Sequence, residues 1–392
     1  MHERSGIIIM SLTLRKKHSF TPSQIGAACF YVFWIVLMIG KGLGYTSSAA
    51  AFRIMTWAVL PFAVLKMALT KWTRNELIIC FLLDMLGIAV WISSGSADIL
   101  LTAVAVTSSK GIDIHRILKL TFWIRGVMFL VRSSLFILGV LEDTVSYRYN
   151  SSGIVSERYA LGYGHPNTAQ YTLFIIVALA LILYGSRMKW WHYLVLFIYD
   201  FFIFSYTDSR TGFFITAACL AVGFLISRKP FARLRRWTCI LGIYIWILGA
   251  VFSFAVCFLF SGSQWMQSQG TLTSRFRDGF EFMTNYRLSL FGLADINSDF
   301  GYIDILYSRG IITFVLLMAG FIIMGKIFQK KGMYMESLIL SAYAVYTLLE
   351  SYSASILMNF LLLYFSCLIF RKNRDGLEWN RDEAQTGLEE KS

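Results

Sequence analysis

Charged side chains are scarce in this chain of 392 residues. They make up 15% of it, against about 25% in ordinary globular proteins, while hydrophobic residues make up 57%. So few charges cannot cover a water-facing surface, which excludes a soluble chain with several separate cores. The charges are clustered between apolar runs of roughly 17 to 25 residues, the length that crosses a bilayer as a helix.

Other absences narrow the function. The six cysteines lie in apolar runs and no CxxC occurs, so neither a disulfide framework nor a zinc site is predicted. No Walker motif is present, and we expect no cofactor and no metal. The net charge of +13 is spread over alternating loops, which indicates membrane topology rather than nucleic-acid binding.

The apolar runs predict an all-α multi-pass membrane protein with about twelve transmembrane helices, because backbone groups in lipid must bond within a helix. The fourth run is short, which predicts a re-entrant or strongly mismatched span. The predicted spans are residues 24–40, 50–69, 76–93, 97–109, 117–140, 167–185, 190–206, 211–227, 237–260, 303–325, 334–350 and 352–370.

Basic residues give the orientation. Every segment assigned to the cytosol is basic and most outward segments are not, so both termini are predicted to be cytosolic. The chain then divides into a basic N-terminus (1–23), one transmembrane domain (24–370) and a disordered tail (371–392).

Two predicted outward segments, 141–166 and 261–302, are too long to be simple connectors. The second has the pattern of an amphipathic helix on the outer leaflet, because its apolar residues recur at helical spacing. These apolar residues are Leu272, Phe276, Phe280, Met283 and Leu290.

The predicted outward face carries candidate ligands for an anion. Arg210 lies in a short turn, where it is either an interfacial arginine that binds lipid phosphate or a guanidinium aimed at a substrate phosphate. Arg275, Arg277 and Arg287 could each decorate a surface helix, but three arginines in one outward segment, alongside Arg158 and Arg210, point to an anionic ligand.

Two outward residues could act on protons. His165 precedes Pro166 at a span start, so it belongs either to helix-start chemistry or to a site where it acts as a general base or binds a sugar hydroxyl. Asp299 is either a general base or a helix cap.

Charges also occur within the apolar runs. Arg125 and Arg132 are seven residues apart, so they share a helix face about 10 Å apart. Pairing of Asp84 with one of them would lower the cost of burial. These charges either form a structural pair or extend a phosphate-binding path toward the outer face.

Four stretches, in this order, resemble the O-antigen polymerase and ligase superfamily, the Wzy-type enzymes of bacterial polysaccharide assembly. They are Gly-Tyr-Gly-His-Pro-Asn (162–167), Ser-Arg-Thr-Gly (209–212), Ser-Arg-Phe with Leu-Phe-Gly (274–276 and 290–292), and Asp-Phe-Gly-Tyr-Ile-Asp-Ile-Leu-Tyr-Ser-Arg-Gly-Ile-Ile (299–312). The resemblance covers roughly residues 155–315.

The resemblance implies a GT-C-like glycosyltransferase whose donor is an oligosaccharide on undecaprenyl pyrophosphate. It places Arg210 and Arg275 on the pyrophosphate and His165 and Asp299 near the reacting sugars. The long outward segment has no histidine, a departure from the ligase pattern that favours a repeat-unit polymerase. A flippase and a chain-length regulator are the partners implied.

Two rivals stay open. A secondary transporter or flippase also fits twelve spans, although it predicts pseudo-symmetric halves that the sequence does not display. A ligase would move the polymer onto a second acceptor rather than keep it on the lipid carrier.

Topology mapping tests the orientation. Reporters fused within 207–212 and 261–302 should read as extracytoplasmic, and reporters at both termini as cytosolic. Cytosolic readings for both internal segments would contradict the assignment of the arginines to the outer face.

Overall fold

The computed structural model describes residues 21–141, 144–149, 155–260, 271–294, 296 and 298–377. Most of the predicted basic N-terminus, the tail after residue 377 and residues 261–270 of the second predicted outward segment lie outside the described residues. The prediction of disorder from residue 371 is wrong for its first part, because residues 371–377 are helical. The described helices are α1 Pro22–Gly42, α2 Ala50–Ala68, α3 Arg74–Ser94, α4 Asp98–Ser108, α5 Ile114–Ile137, α6 Pro166–Tyr184, α7 Trp190–Thr207, α8 Arg210–Ile226, α9 Ala232–Phe260, α10 Thr271–Asn285, α11 Gly301–Ser308, α12 Ile311–Lys331, α13 Tyr334–Thr347 and α14 Ser366–Ile369.

Seven segments of the described chain are helical, long and apolar enough to cross a membrane. They support the predicted helical membrane architecture. α4 and α8 are apolar but shorter, at 11 and 17 residues. The count of about twelve therefore stays a prediction. The seven segments are Pro22–Gly42, Ala50–Ala68, Arg74–Ser94, Ile114–Ile137, Pro166–Arg187, Lys229–Leu259 and Ile311–Lys331.

The prediction of one helix over 303–325 is wrong. Gly310 has φ +88° and separates α11 from α12, so the long helix begins only at Ile311. A Cβ at Gly310 would collide with the carbonyl of Leu290, and one at Gly292 (φ +91°) with the carbonyl of Ser308. The Leu-Phe-Gly and Ser-Arg-Gly motifs thus pack backbone to backbone, which requires glycine in both.

The prediction of a helix over 352–370 is also wrong. This stretch consists of two 3-10 turns, Tyr352–Ala354 and Phe360–Phe365, followed by α14. Nearly all of it is buried among the helices. Irregular backbone survives at membrane depth only where protein supplies its hydrogen bonds, so side chains must replace the missing helical partners.

Side chains from three helices supply those bonds. The hydroxyl of Thr102 on α4 lies 3.2 Å from the carbonyl of Ala354 and accepts the N–H of Ile356 at 3.1 Å. Arg125 on α5 donates to the carbonyl of Leu357 at 2.5 Å. Two further bonds come from Tyr343 to the carbonyl of Met358 and from Asn359 to the carbonyl of Ser353, both 3.0 Å long.

These contacts correct the expected pairing of Asp84. Its carboxylate accepts a hydrogen bond from Thr107 at 3.3 Å and makes no ion pair with a described residue. Arg125 is used by the irregular stretch, and Arg132 donates to backbone carbonyls in the loops after α1 and before α6. Both guanidinium groups are hydrogen-bonded to backbone carbonyls that would otherwise be unpaired. Neither arginine therefore depends on the Asp84 carboxylate as a partner.

The first of the two segments predicted to face outward contains a β-hairpin that the all-α prediction missed. Strands β1 (Val145–Tyr149) and β2 (Val155–Tyr159) pair antiparallel, with Ser146 opposite Arg158 and Arg148 opposite Ser156. β1 (Val-Ser-Tyr-Arg-Tyr) alternates polar residues with valine and tyrosine, a pattern that favours a half-buried strand. β2 (Val-Ser-Glu-Arg-Tyr) has three polar residues in a row and lacks this alternation.

Replacing Thr102 by valine should destabilise the fold. The change keeps the shape but removes the acceptor of the Ile356 N–H and the hydroxyl beside the Ala354 carbonyl, at a cost of about 1–3 kcal/mol. Thermal unfolding in detergent measures it. Thr313→Val is the matched control, because Thr313 is also buried but its hydroxyl has no partner among the described residues. An equal loss in both variants would contradict the role of Thr102.

Candidate functional site

The stretches that the sequence predicts to face outward meet at one end of the bundle. α6 and α8 begin there, α13 ends there, and the β-hairpin and α10 pack over it. We call this the outer end. It joins parts of the chain that are nearly two hundred residues apart, since Asn167 and Glu350 are hydrogen-bonded.

A chain of four polar residues crosses the outer end. Arg158 on β2 donates to the side-chain oxygen of Asn167 at 2.7 Å, and Asn167 donates to a carboxylate oxygen of Glu350 at 2.8 Å. The same oxygen pairs with Arg275 on α10 at 3.1 Å. Arg275 also donates to the carbonyl of Leu349. This Arg158–Asn167–Glu350–Arg275 network ties the hairpin and α10 to the bundle.

The hairpin positions its arginines by strand alternation. Arg158 is paired with Ser146, which is two residues from Arg148 on β1. Residues two apart on a strand point to the same face, so Arg148 and Arg158 lie on the same face of the two-stranded sheet. Arg158 donates to the carbonyl of Thr207 at 2.9 Å, and Arg148 pairs with Asp208 at 2.7 Å. The hairpin therefore docks on the turn between α7 and α8.

His165 is the N-cap of α6. Its Nδ1 accepts the backbone N–H of Asn167 at 3.1 Å, so helix-start chemistry accounts for this residue as well as for Pro166. Loss of water contact and the charges of Arg158 and Arg275 lower the pKa of His165, while Asp299 opposes them. A neutral imidazole that accepts at Nδ1 carries its proton on Nε2. His165 can thus donate a hydrogen bond outward.

Asp299 lies near the same group and is exposed. The charge of Asp299 raises the pKa values of His165 and Glu350, so its carboxylate lies within electrostatic range of both groups. It precedes α11, whose N-cap is Phe300, so the alternative reading of Asp299 as a helix cap is wrong. An exposed carboxylate beside the network can accept a proton from a bound hydroxyl.

Two predicted arginines stand apart from the network. The Arg210 side chain is 61% exposed, with its Nε 3.5 Å from Asp208, so most of its donors are available to a ligand. Arg277 is exposed and lies about 200° around α10 from Arg275. The structure thus brings together His165, Asp299, Arg158 and Arg275, with Arg210 beside the docked hairpin.

The amphipathic helix is present as α10, but part of its polar face is buried against the protein. Phe276 is buried, whereas Leu290 lies beyond the helix and is exposed; the side chain of Leu272 lies outside the described residues. Arg275 is only 8% exposed. It was predicted as a direct phosphate ligand, and the structure shows that its guanidinium is bonded to protein.

Glu350 is the site residue that sequence reasoning missed. It lies in the turn after α13, buried, at the boundary between two predicted spans. Burial raises the pKa of Glu350 to about 7, against the opposing effects of Arg275 and Asn167. Its sequence signal is an acid within an otherwise apolar and hydroxyl-rich stretch, which by itself resembles an ordinary span end.

No group of three or more metal-ligating residues occurs within the described part of the chain. Comparisons with protein-family models, curated proteins and solved structures find no match to this chain. The functional argument therefore rests on the residues and their geometry.

Glu350 should make stability depend on pH. The carboxyl ionises near pH 4.3 when unfolded but near pH 7 when folded, so between these values the folded chain holds the extra proton. Its stabilising contribution is full below about pH 4 and is lost as pH rises to about 7. Melting temperatures across this range should show the slope, and Glu350→Gln should flatten it.

Glu281→Gln is the control, because Glu281 is an exposed carboxylate on α10. A slope that persists unchanged in Glu350→Gln would assign the titration to another group.

Proposed function

We propose that this protein is a membrane glycosyltransferase that polymerises lipid-linked oligosaccharide repeat units at the outer face of the cell membrane. The supporting observation is that Arg158 and Arg275 are linked through Asn167 and Glu350 at one end of an apolar bundle. His165 caps the helix start at which Asn167 lies, and Asp299 lies within electrostatic range of His165. The proposal includes a GT-C-like arrangement of twelve passes with both termini in the cytosol.

In the proposed reaction, a hydroxyl of one lipid-linked unit attacks the anomeric carbon of another. A new glycosidic C–O bond forms, and the bond from the anomeric carbon to the pyrophosphate of the undecaprenyl carrier breaks. Asp299 takes the hydroxyl proton, and the carrier leaves as a diphosphate. The sugar is already activated by its phosphate linkage, so the step needs no ATP.

The arginines have different parts in this proposal. Arg210 has exposed donors for the departing diphosphate, which a guanidinium binds in bidentate fashion without losing its charge. Arg275 and Arg158 contribute fixed positive charge from within the protein, which needs no reorganisation as negative charge develops. His165 donates from Nε2 to a sugar or phosphate oxygen.

The polymerase proposal brings expected partners. These are the undecaprenyl-pyrophosphate-linked oligosaccharide, the membrane lipids, and in the cell a flippase and a chain-length regulator. A ligase would perform the same bond exchange with a different acceptor. Product that stays on the polyprenyl carrier supports polymerisation, and product on another lipid supports ligation.

Transport is the second candidate. The observation that favours it is the short helix α4 packed against the irregular stretch 352–370, since broken helices often form the substrate sites of transporters. Reconstituted vesicles separate the two functions. Movement of lipid-linked sugar without chain growth supports transport.

Arg210→Ala should shorten the polymer. Loss of one donor to the leaving diphosphate typically lowers the rate about 10²–10³-fold, and Arg210→Lys should recover part of it. The measurement is polymer length and elongation rate in membranes with matched protein levels. Arg275→Lys should also lower the rate, because lysine cannot make both the Glu350 and Leu349 bonds.

Arg53→Ala is the control for this series, since Arg53 is exposed in the first turn of α2 and belongs to none of the predicted site stretches. Long polymer in both Arg210→Ala and Arg275→Lys, at normal protein levels, would reject the assigned roles.

A further inference from the structure

A cavity of about 1040 Å³ lies at the opposite end of the bundle from the candidate site. α6, α8 and α12 end at this inner end, and α9 and α13 begin there. α6 begins beside His165 and spans 19 residues, about 28 Å, before it reaches the cavity. The cavity is therefore separate from the outer-end site.

The cavity has two kinds of wall. Its apolar part includes Leu181, Leu183, Ile226 and Ile327, which come from three different helices. Its charged lining has five cationic side chains and two acidic ones, so it is positive overall. The cations are Arg187, Arg235, Lys330, Lys331 and Arg374, and the acids are Glu336 and Asp375.

Three of the five cationic side chains are not bonded to another described residue. Arg235 donates to the carbonyls at the end of α8, at 2.7 and 2.8 Å, and Lys331 donates to a backbone carbonyl at 3.2 Å. Arg187, Lys330 and Arg374 are exposed, and their side chains make no hydrogen bond or ion pair with another described residue. The positive-inside bias explains basic residues at this end, but it does not require a cavity behind them.

We propose that this cavity binds an anionic phospholipid from the leaflet at the inner end. Its phosphate lies against Arg187, Lys330 and Arg374, and its acyl chains lie along the apolar wall. Guanidinium and ammonium groups match phosphate oxygens. Basic pockets between membrane helices are known to bind such headgroups. A small soluble phosphate would leave the apolar wall in contact with water, which favours a lipid.

The experiment titrates the purified full chain with lipid in detergent, and native mass spectrometry measures the bound fraction. The probes are phosphatidylglycerol, phosphatidylcholine of the same acyl chains, and inorganic pyrophosphate. We expect preference for phosphatidylglycerol and no competition by pyrophosphate. The R187Q/K330Q/R374Q variant should lose about 100-fold in affinity, because each basic group near an anionic lipid contributes about fivefold.

The charge-matched control is K71Q/K119Q/K229Q, three exposed lysines that do not line the cavity. A second variant, Ile182→Trp, fills the cavity without a change in charge and should also weaken binding. Melting temperatures confirm that each variant is folded.

Four outcomes would overturn the proposal. They are equal binding of both phospholipids, an equal loss in the lysine control, displacement of lipid by pyrophosphate, and lipid binding by a chain ending at Leu377 but not by the full chain. The last result would indicate that the acidic tail after Leu377, and not a lipid, occupies the cavity in the full chain. None of these outcomes bears on sugar transfer, so this proposal and the proposed function can fail separately.

Discussion

The structure depends on the rule that backbone polar groups inside a membrane must find partners within the protein. The stretch 352–370 breaks the helical pattern, and its carbonyls and N–H groups are bonded instead by Thr102, Arg125, Tyr343 and Asn359. These bonds join α4, α5 and α13 to the same segment. Glu350 lies just before this segment, so the position of the polar network at the outer end depends on how the segment is held.

The arginines fall into groups that differ in their hydrogen-bond partners. Arg125 and Arg132 bond backbone carbonyls inside the bundle, and Arg158 and Arg275 bond the network at the outer end. Arg210 and Arg277, the two predicted phosphate ligands outside the network, are exposed, and Arg210 lies beside the docked hairpin. Fixed and accessible positive charge thus lie side by side, an arrangement suited to an anion that binds, changes its charge and leaves.

The sequence predicted the long helices well because each depends mainly on length and apolarity. It also predicted α10 from apolar spacing, and the gathering of the outward motifs at one end from their alternating topology. It failed at 303–325 and 352–370, where composition is apolar but contacts decide the backbone. Gly310 breaks a helix only because another segment packs against it, and that contact is invisible in hydropathy.

Site residues were predictable in the same uneven way. Charges in the predicted outward loops stood out in the sequence, so Arg210, Arg275 and Asp299 could be found. Glu350 could not, because its importance comes from two partners that lie far away in sequence. The role of His165 changed for a similar reason, since only the geometry shows which ring nitrogen caps α6.

The contact between Gly292 and Gly310 has a mechanical consequence. Residues 289–293 are fastened to the start of α12 and to the end of α11 by three backbone hydrogen bonds, and Ser93 holds Gly292 from α3 at 2.6 Å. These four hydrogen bonds join the segment that follows α10 to three different helices. Together with the bonds of Arg275 to Glu350 and Leu349, they hold α10 to the bundle through a side chain near its start and through the backbone beyond its end.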